Sequence, residues 1–154
     1  MTLKKVVITG LGIVSPIGVG VDAVLASLKE GKSGIKTAPA FVEKQMRSQV
    51  AGLVDLDLKE LIDRRILRFM GEAAAYSYIA MKEAIAMSGL TDEDVSNERT
   101  GLFVGSGGGD TSAIVEAADN LREKGIKKVG PYAVPKAMSS TTSANLATAF
   151  KIKG

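Results

Sequence analysis

Residues 101–110 read GLFVGSGGGD: an apolar run, Leu102-Phe103-Val104, feeds a glycine turn that opens onto a helical pattern beginning at Thr111. A strand, a tight turn and a helix start form the repeating step of an α/β fold. The same step builds an anion site, because free backbone N–H groups and the helix dipole converge there. The side chains argue against that use. A phosphate-binding P-loop needs Lys followed by Ser or Thr after its second glycine, and Asp110-Thr111 stands there instead. The dinucleotide pattern G-x-G-x-x-G fits Gly105 and Gly107 but fails at Asp110, whose carboxylate repels a pyrophosphate. A second glycine cluster, GLGIVS at residues 10–15, fails at its sixth position, although Glu30 lies at about the spacing of a ribose contact.

Outward from this turn the pattern alternates strand and helix. Downstream, residues 111–124 read as a helix, and Gly125 and Gly130-Pro131 mark a loop. Residues 135–150 place Ala137, Ser140 or Thr141, Ala144 and Ala147 at helical spacing, a face suited to very close packing. Upstream, residues 61–88 carry Ile66, Phe69, Met70, Ala73, Ala74, Ile79, Ala80, Met81, Ala84 and Ile85 around most of a helical wheel. That pattern predicts one long helix buried on several sides and stopped by Gly89. Thr91 with Asp94 three residues on predicts a capped short helix. Residues 4–9 and 100–104 read as the two core strands, residues 22–30 as a helix ended by Gly31, and residues 32–58 as loops with short strands or hairpins. Two core strands are few for so many helices, and the last helix has no strand after it. The expectation is an incomplete α/β layer.

Composition limits the chemistry. With 154 residues, 45% apolar content and mean hydropathy +0.15, the chain has the size and apolar share of one domain, residues 1–154. The net charge of +3 is mild and its cations are interspersed with acids, which does not suggest a nucleic-acid binder. Cysteine and histidine are both absent. A thiolate nucleophile, a Ser-His-Asp triad, a Cys-His pair and a zinc site of the usual ligands are therefore all excluded within these residues. No metal and no cofactor are expected. The hydroxyl run Ser139-Ser140-Thr141-Thr142-Ser143 has no histidine or well-placed lysine to activate it and reads as scaffold. Lys4 and Lys5 ahead of an apolar stretch imitate a signal peptide, but Gly10, Gly12, Pro16, Gly18 and Gly20 would break its helix. A cytoplasmic location with no membrane span is expected.

Five blocks carry a resemblance: VVITGLGIVSPIG at 6–18, LASLKEGKSGI at 25–35, LIDRRILRFM at 61–70, GLFVGSGGGD at 101–110 and VGPYAVPKAMSS at 129–140. Collinear along the whole chain, they resemble the type I beta-ketoacyl-acyl-carrier-protein synthases, the condensing enzymes of fatty-acid synthesis. The resemblance implies a thiolase-like layered α/β fold of which residues 1–154 are the N-terminal part, ending before the strand and turn that bear the nucleophile. It implies acyl carrier protein, acyl thioesters and malonyl thioesters as partners, and a homodimer. It also implies that these residues alone are inactive, since the family's cysteine and two histidines are not among them. A carrier-protein-binding or dimerisation module without catalysis is the alternative.

Carried over position by position, the resemblance puts Gly108 where side-chain bulk limits room for the acyl chain, and Met138 near the pocket across the dimer. Arg65, Arg68, Lys124 and Lys127, joined by Arg47, match a basic patch that docks the acidic carrier protein. No catalytic residue is carried over. Asn145, Ala149 and Pro135 depart from the family pattern beside the pocket-facing helix.

Overall fold

A computed structural model describes residues 4–154. These form two units, one from the residues up to Asp57 with Ile79–Gly89, the other from Leu58–Tyr78 with Leu90–Gly154.

In the first unit, Val14–Ser15 (β1) and Gly18–Val19 (β2) pair antiparallel around Pro16, with Val14 opposite Val19. Val21–Glu30 (α1) follows directly and stops at Gly31, whose φ of 65° is the left-handed conformation that glycine adopts most cheaply. The buried Ser27 of α1 donates its hydroxyl to the Ile17 carbonyl at 2.6 Å, fastening the helix to the hairpin. Ile35–Thr37 (β3) pairs antiparallel with Val50–Gly52 (β4), and Pro39–Glu43 (α2) lies between them with proline in its first turn, where no N–H is needed. The expected helix at 22–30 and short strands within 32–58 are both present.

The second unit carries Leu58–Leu61 (α3), Arg64–Leu67 (α4), the start of Glu72–Ser88 (α5), Asp92–Val95 (α6), Thr111–Lys124 (α7), a 3₁₀ turn at Ile126–Lys128, Ala133–Ala137 (α8) and Thr141–Ala149 (α9). The single helix predicted over 61–88 is three helices. Asp63 ends the first by capping the second, its carboxylate accepting the Arg65 N–H at 2.7 Å. Gly71 separates the second from the third, and a Cβ there would come within 2.7 Å of Asp110 Cβ. Burial is also narrower than predicted: within α5 only Ala74 and Ala75 are buried. Likewise the pattern over 135–150 divides into α8 and α9, because Met138 is extended at ψ 143°. Ala137 and Ala147 therefore do not share one helix face.

The two predicted core strands are not in ladders. Residues 4–9 and 100–104 belong to no strand ladder among the described residues, the Thr100 carbonyl accepting a single backbone bond from Gly154, and Val6 and Phe103 are 94% and 98% exposed. A strand is stable only when a neighbour takes up its N–H and C=O groups. The ladders described are the two short antiparallel hairpins alone.

Local capping follows the sequence closely. Thr91 and Asp94 exchange reciprocal bonds at the start of α6, Thr91 N–H to the carboxylate at 3.0 Å and Asp94 N–H to the hydroxyl at 3.3 Å. The Thr91 N–H first, and then the Thr91 hydroxyl, which donates to the same carboxylate at 2.9 Å, hold the Asp94 carboxyl below its usual pKa. Gly89 is left-handed at φ 69°. Among the described residues no helix is long and apolar enough to cross a membrane.

Candidate functional site

The glycine cluster at 10–12 has a structural task inside the first unit. A Cβ on Gly10 would overlap the Ala84 carbonyl, and one on Gly12 the Ala80 carbonyl. Ala80 and Ala84 are four residues apart on α5 and so stack on one face. Glu83 lies between them in sequence and accepts the Ile13 N–H at 3.0 Å and the Val21 N–H at 2.7 Å. A carboxylate thus occupies the N–H groups that a phosphate would use, and the glycines let two backbones approach.

The second cluster ends similarly. Asp110 caps α7, accepting the Ala113 N–H at 3.0 Å through one oxygen and the Glu72 N–H at 3.2 Å through the other. An anion at that helix start would face this carboxylate. Within the loop, Ser106 donates to the Gly108 carbonyl at 2.8 Å, and Gly109 is the glycine the packing requires, since its Cβ would overlap the Ala137 carbonyl. A Cβ on Gly105, Gly107 or Gly108 meets nothing within 4 Å.

This loop and the hydroxyl run, 33 residues apart from Ser106 to Ser139, close on a cavity of about 340 Å³ lined by Val104, Gly105, Ser106, Ser139, Ser140, Thr142 and Ser143. Gly108 and Met138 flank these lining residues in sequence without being among them. Met138 ends α8 and is 37% exposed. Thr142 is 3% exposed, and its buried hydroxyl has no hydrogen-bond partner among the described residues. Asn145 fastens α9, donating to the Thr141 carbonyl at 2.8 Å and the Phe69 carbonyl at 3.2 Å. The Tyr76 hydroxyl is raised above its usual pKa, by burial first and the Glu72 charge second.

Four of the five basic residues lie in the second unit and Arg47 in the first. Arg65 is exposed on α4. Arg68, the residue that ends α4, carries its guanidinium carbon 4.9 Å from the Phe69 ring centroid and 5.3 Å from that of Tyr132. Lys124 ends α7 and donates to Asn120 at 2.8 Å, and Lys127 is exposed on the 3₁₀ turn. Asn120 and Tyr132 both line a recess of about 190 Å³ between α7 and α8, so the immediate contacts of Arg68 and Lys124 share one border. Neither the Lys44–Glu43 nor the Arg122–Asp119 ion pair includes any of the five cations. Sequence reasoning missed Phe69 and Tyr132 as neighbours of Arg68. The signal was faint, because the two aromatics are 63 residues apart.

Helices, close glycine contacts and small antiparallel strand pairs define an incomplete α/β fold of the thiolase-like class. The chain belongs to the beta-ketoacyl synthase family, whose N-terminal domain matches residues 3–154. It is 54% identical over 153 residues to the 3-oxoacyl-acyl-carrier-protein synthase 1 of Haemophilus influenzae, covering 99% of this chain and 38% of that protein. To the synthase of the same name from Escherichia coli K12 it is 51% identical over 154 residues, again 99% and 38%. Among solved structures, a beta-ketoacyl synthase from Burkholderia phymatum STM815 superposes with a TM-score of 0.82 at 27% identity, over 99% of this chain and 38% of that one. The chain thus spans about two fifths of the length of these relatives.

Proposed function

We propose that residues 1–154 are the N-terminal part of a beta-ketoacyl-acyl-carrier-protein synthase that lengthens fatty acyl chains. The observation that carries this is the 54% identity, continuous over 99% of the chain, to a protein of that name. In that chemistry an acyl group moves from a carrier-protein thioester to a cysteine thiolate. A malonyl thioester then loses CO₂, and the resulting carbanion attacks the acyl-cysteine carbonyl, forming the carbon–carbon bond and releasing the thiolate. Cysteine suits both halves, because thioester exchange is nearly balanced and a thiolate at a helix start is a strong nucleophile. Two histidines donate hydrogen bonds to the thioester oxygen as enolate charge develops.

Neither residue type occurs in these 154 residues, so their contribution is scaffold, dimer interface, acyl-pocket wall and docking surface. Gly108, in the loop whose neighbours line the 340 Å³ cavity, is assigned to the acyl pocket, with Met138 beside it. Arg47, Arg65, Arg68, Lys124 and Lys127 are assigned to carrier-protein docking. Their absence from both ion pairs supports this, since a cation already neutralised does little to steer an acidic protein.

Mass spectrometry tests the proposal in two arms. The full-length protein incubated with acyl carrier-protein thioester is expected to gain one acyl group on a cysteine and to release CO₂ on adding the malonyl thioester. Residues 1–154 alone are expected to gain none. A stable adduct on Ser139, Ser140 or Ser143 of the short chain would overturn the scaffold assignment of the hydroxyl run. A full-length protein that binds carrier protein without acylation would favour the non-catalytic module.

A further inference from the structure

Arg68 differs from the other cations of the second unit in what surrounds it. The Phe69 and Tyr132 rings stand nearly perpendicular, 84° apart with centroids 5.0 Å from each other, and the guanidinium sits within cation–π reach of both. Two rings within reach of one guanidinium confine its position to the corner between them. Each wall is fixed from behind. The Phe69 carbonyl accepts from Asn145 of α9, and Tyr132 starts α8 with its carbonyl accepting the Lys136 N–H at 3.3 Å. Arg65, three residues earlier on α4, has no aromatic contact among the described residues.

We infer that Phe69 and Tyr132 are positioning residues that hold Arg68 in place for bidentate capture of a carboxylate on an acidic protein partner. The planar fork of N–H donors matches the two oxygens of a carboxylate, and confining the side chain lowers the entropy lost when that pair forms. An ammonium in the same corner has the charge without the fork. Arg68 is then the register-setting cation of the patch, while Arg65, Lys124 and Lys127 contribute steering alone. The inference rests on the carrier-docking assignment above, and its test separates the two.

In the full-length protein, Tyr132→Leu removes the ring and keeps an apolar side chain, and Tyr132→Phe keeps the ring without the hydroxyl. Two readouts are needed. The first is the ring-current shift of the Arg68 side-chain protons, measured by NMR without any partner. It is expected to persist in Tyr132→Phe and to diminish in Tyr132→Leu. The second is the dissociation rate of acyl carrier protein by stopped flow, expected to rise about threefold in Tyr132→Leu and to stay unchanged in Tyr132→Phe. In an Arg68→Lys background, Tyr132→Leu should add no further change. An equal threefold effect in that background would assign Tyr132 to packing and overturn the inference, as would an Arg68 shift indifferent to Tyr132→Leu. If Arg68→Glu leaves association unchanged while the ring-current results hold, the docking assignment fails and the aromatic corner stands as a local restraint only.

Discussion

At the residue scale, Thr142 and Gly108 give opposite lessons about what occupies space. Among the described residues the Thr142 hydroxyl is buried without a partner, and an unmade hydrogen bond costs more than the absence of the group. Thr142→Val, which replaces the hydroxyl with a methyl of similar size, is therefore expected to leave stability unchanged or raise it by about 1 kcal/mol. Urea denaturation checks this, and a loss of stability would mean that the hydroxyl has a partner after all. Gly108 faces open space, where a side chain strains nothing within its own unit. Gly108→Phe in the full-length protein is accordingly expected to leave the fold intact and to slow acylation by long acyl groups more than by short ones. Equal slowing at every chain length would remove Gly108 from the pocket.

At the element scale, the glycines of residues 10–12 and 105–109 look interchangeable in sequence and are not. Gly12→Ala drives a methyl into the Ala80 carbonyl of α5 and should destabilise the first unit by about 1–3 kcal/mol. Gly107→Ala meets nothing and should be nearly silent. Hydrogen exchange of α5 amides read in both variants would expose the difference, and matched effects would refute the close approach. The start of α6 carries a pH dependence. Because the Thr91 bonds lower the Asp94 pKa on folding, their stabilisation is present above the ordinary aspartate pKa and is lost as pH falls through the depressed folded value. A carbon-detected titration of Asp94 is expected to show a midpoint below that of a free aspartate, moving up toward it in Thr91→Val. The carboxylate is fully exposed, so salt screening keeps the effect on global stability small.

At the scale of the whole molecule, large apolar residues stand in water in both units. Val6, Val7 and Ile8 are 94%, 73% and 83% exposed in the first, and Phe103 is 98% exposed in the second. These are the residues read as core strands. Each uncovered 100 Å² of apolar surface forfeits about 2.5 kcal/mol of burial, a sizeable part of a domain's net stability. An unpaired apolar strand is also a template for another. Residues 1–154 in isolation are expected to self-associate or to remain expanded, seen as concentration-dependent light scattering with weak near-ultraviolet circular dichroism. A monodisperse monomer that unfolds cooperatively would count against the fragment assignment and favour the stand-alone module.

Chemistry that depends on residue type was decided by the sequence alone. Without cysteine or histidine, no arrangement of these 154 side chains supplies the family's nucleophile or its proton donors. Local conformation was equally legible where one or two residues dictate it: Gly31 and Gly89 as left-handed stops, Thr91 with Asp94 as a capping box. These depend on backbone sterics and hydrogen bonds within a few residues. The tertiary structure decided whatever needed a distant neighbour. Asp63 and Gly71 broke a pattern whose apolar periodicity ran through them, because capping and the Asp110 contact outweigh periodicity at those points. Ala80 and Ala84 showed why Gly10 and Gly12 are glycines, and the turn at Met138 brought the hydroxyl run to the 105–106 loop. The aromatic corner at Arg68 joins residues 63 apart, which no local spacing encodes. Most of all, residues 4–9 and 100–104 have the composition of strands but no ladder among the described residues, since propensity prepares a strand and only a paired neighbour makes one.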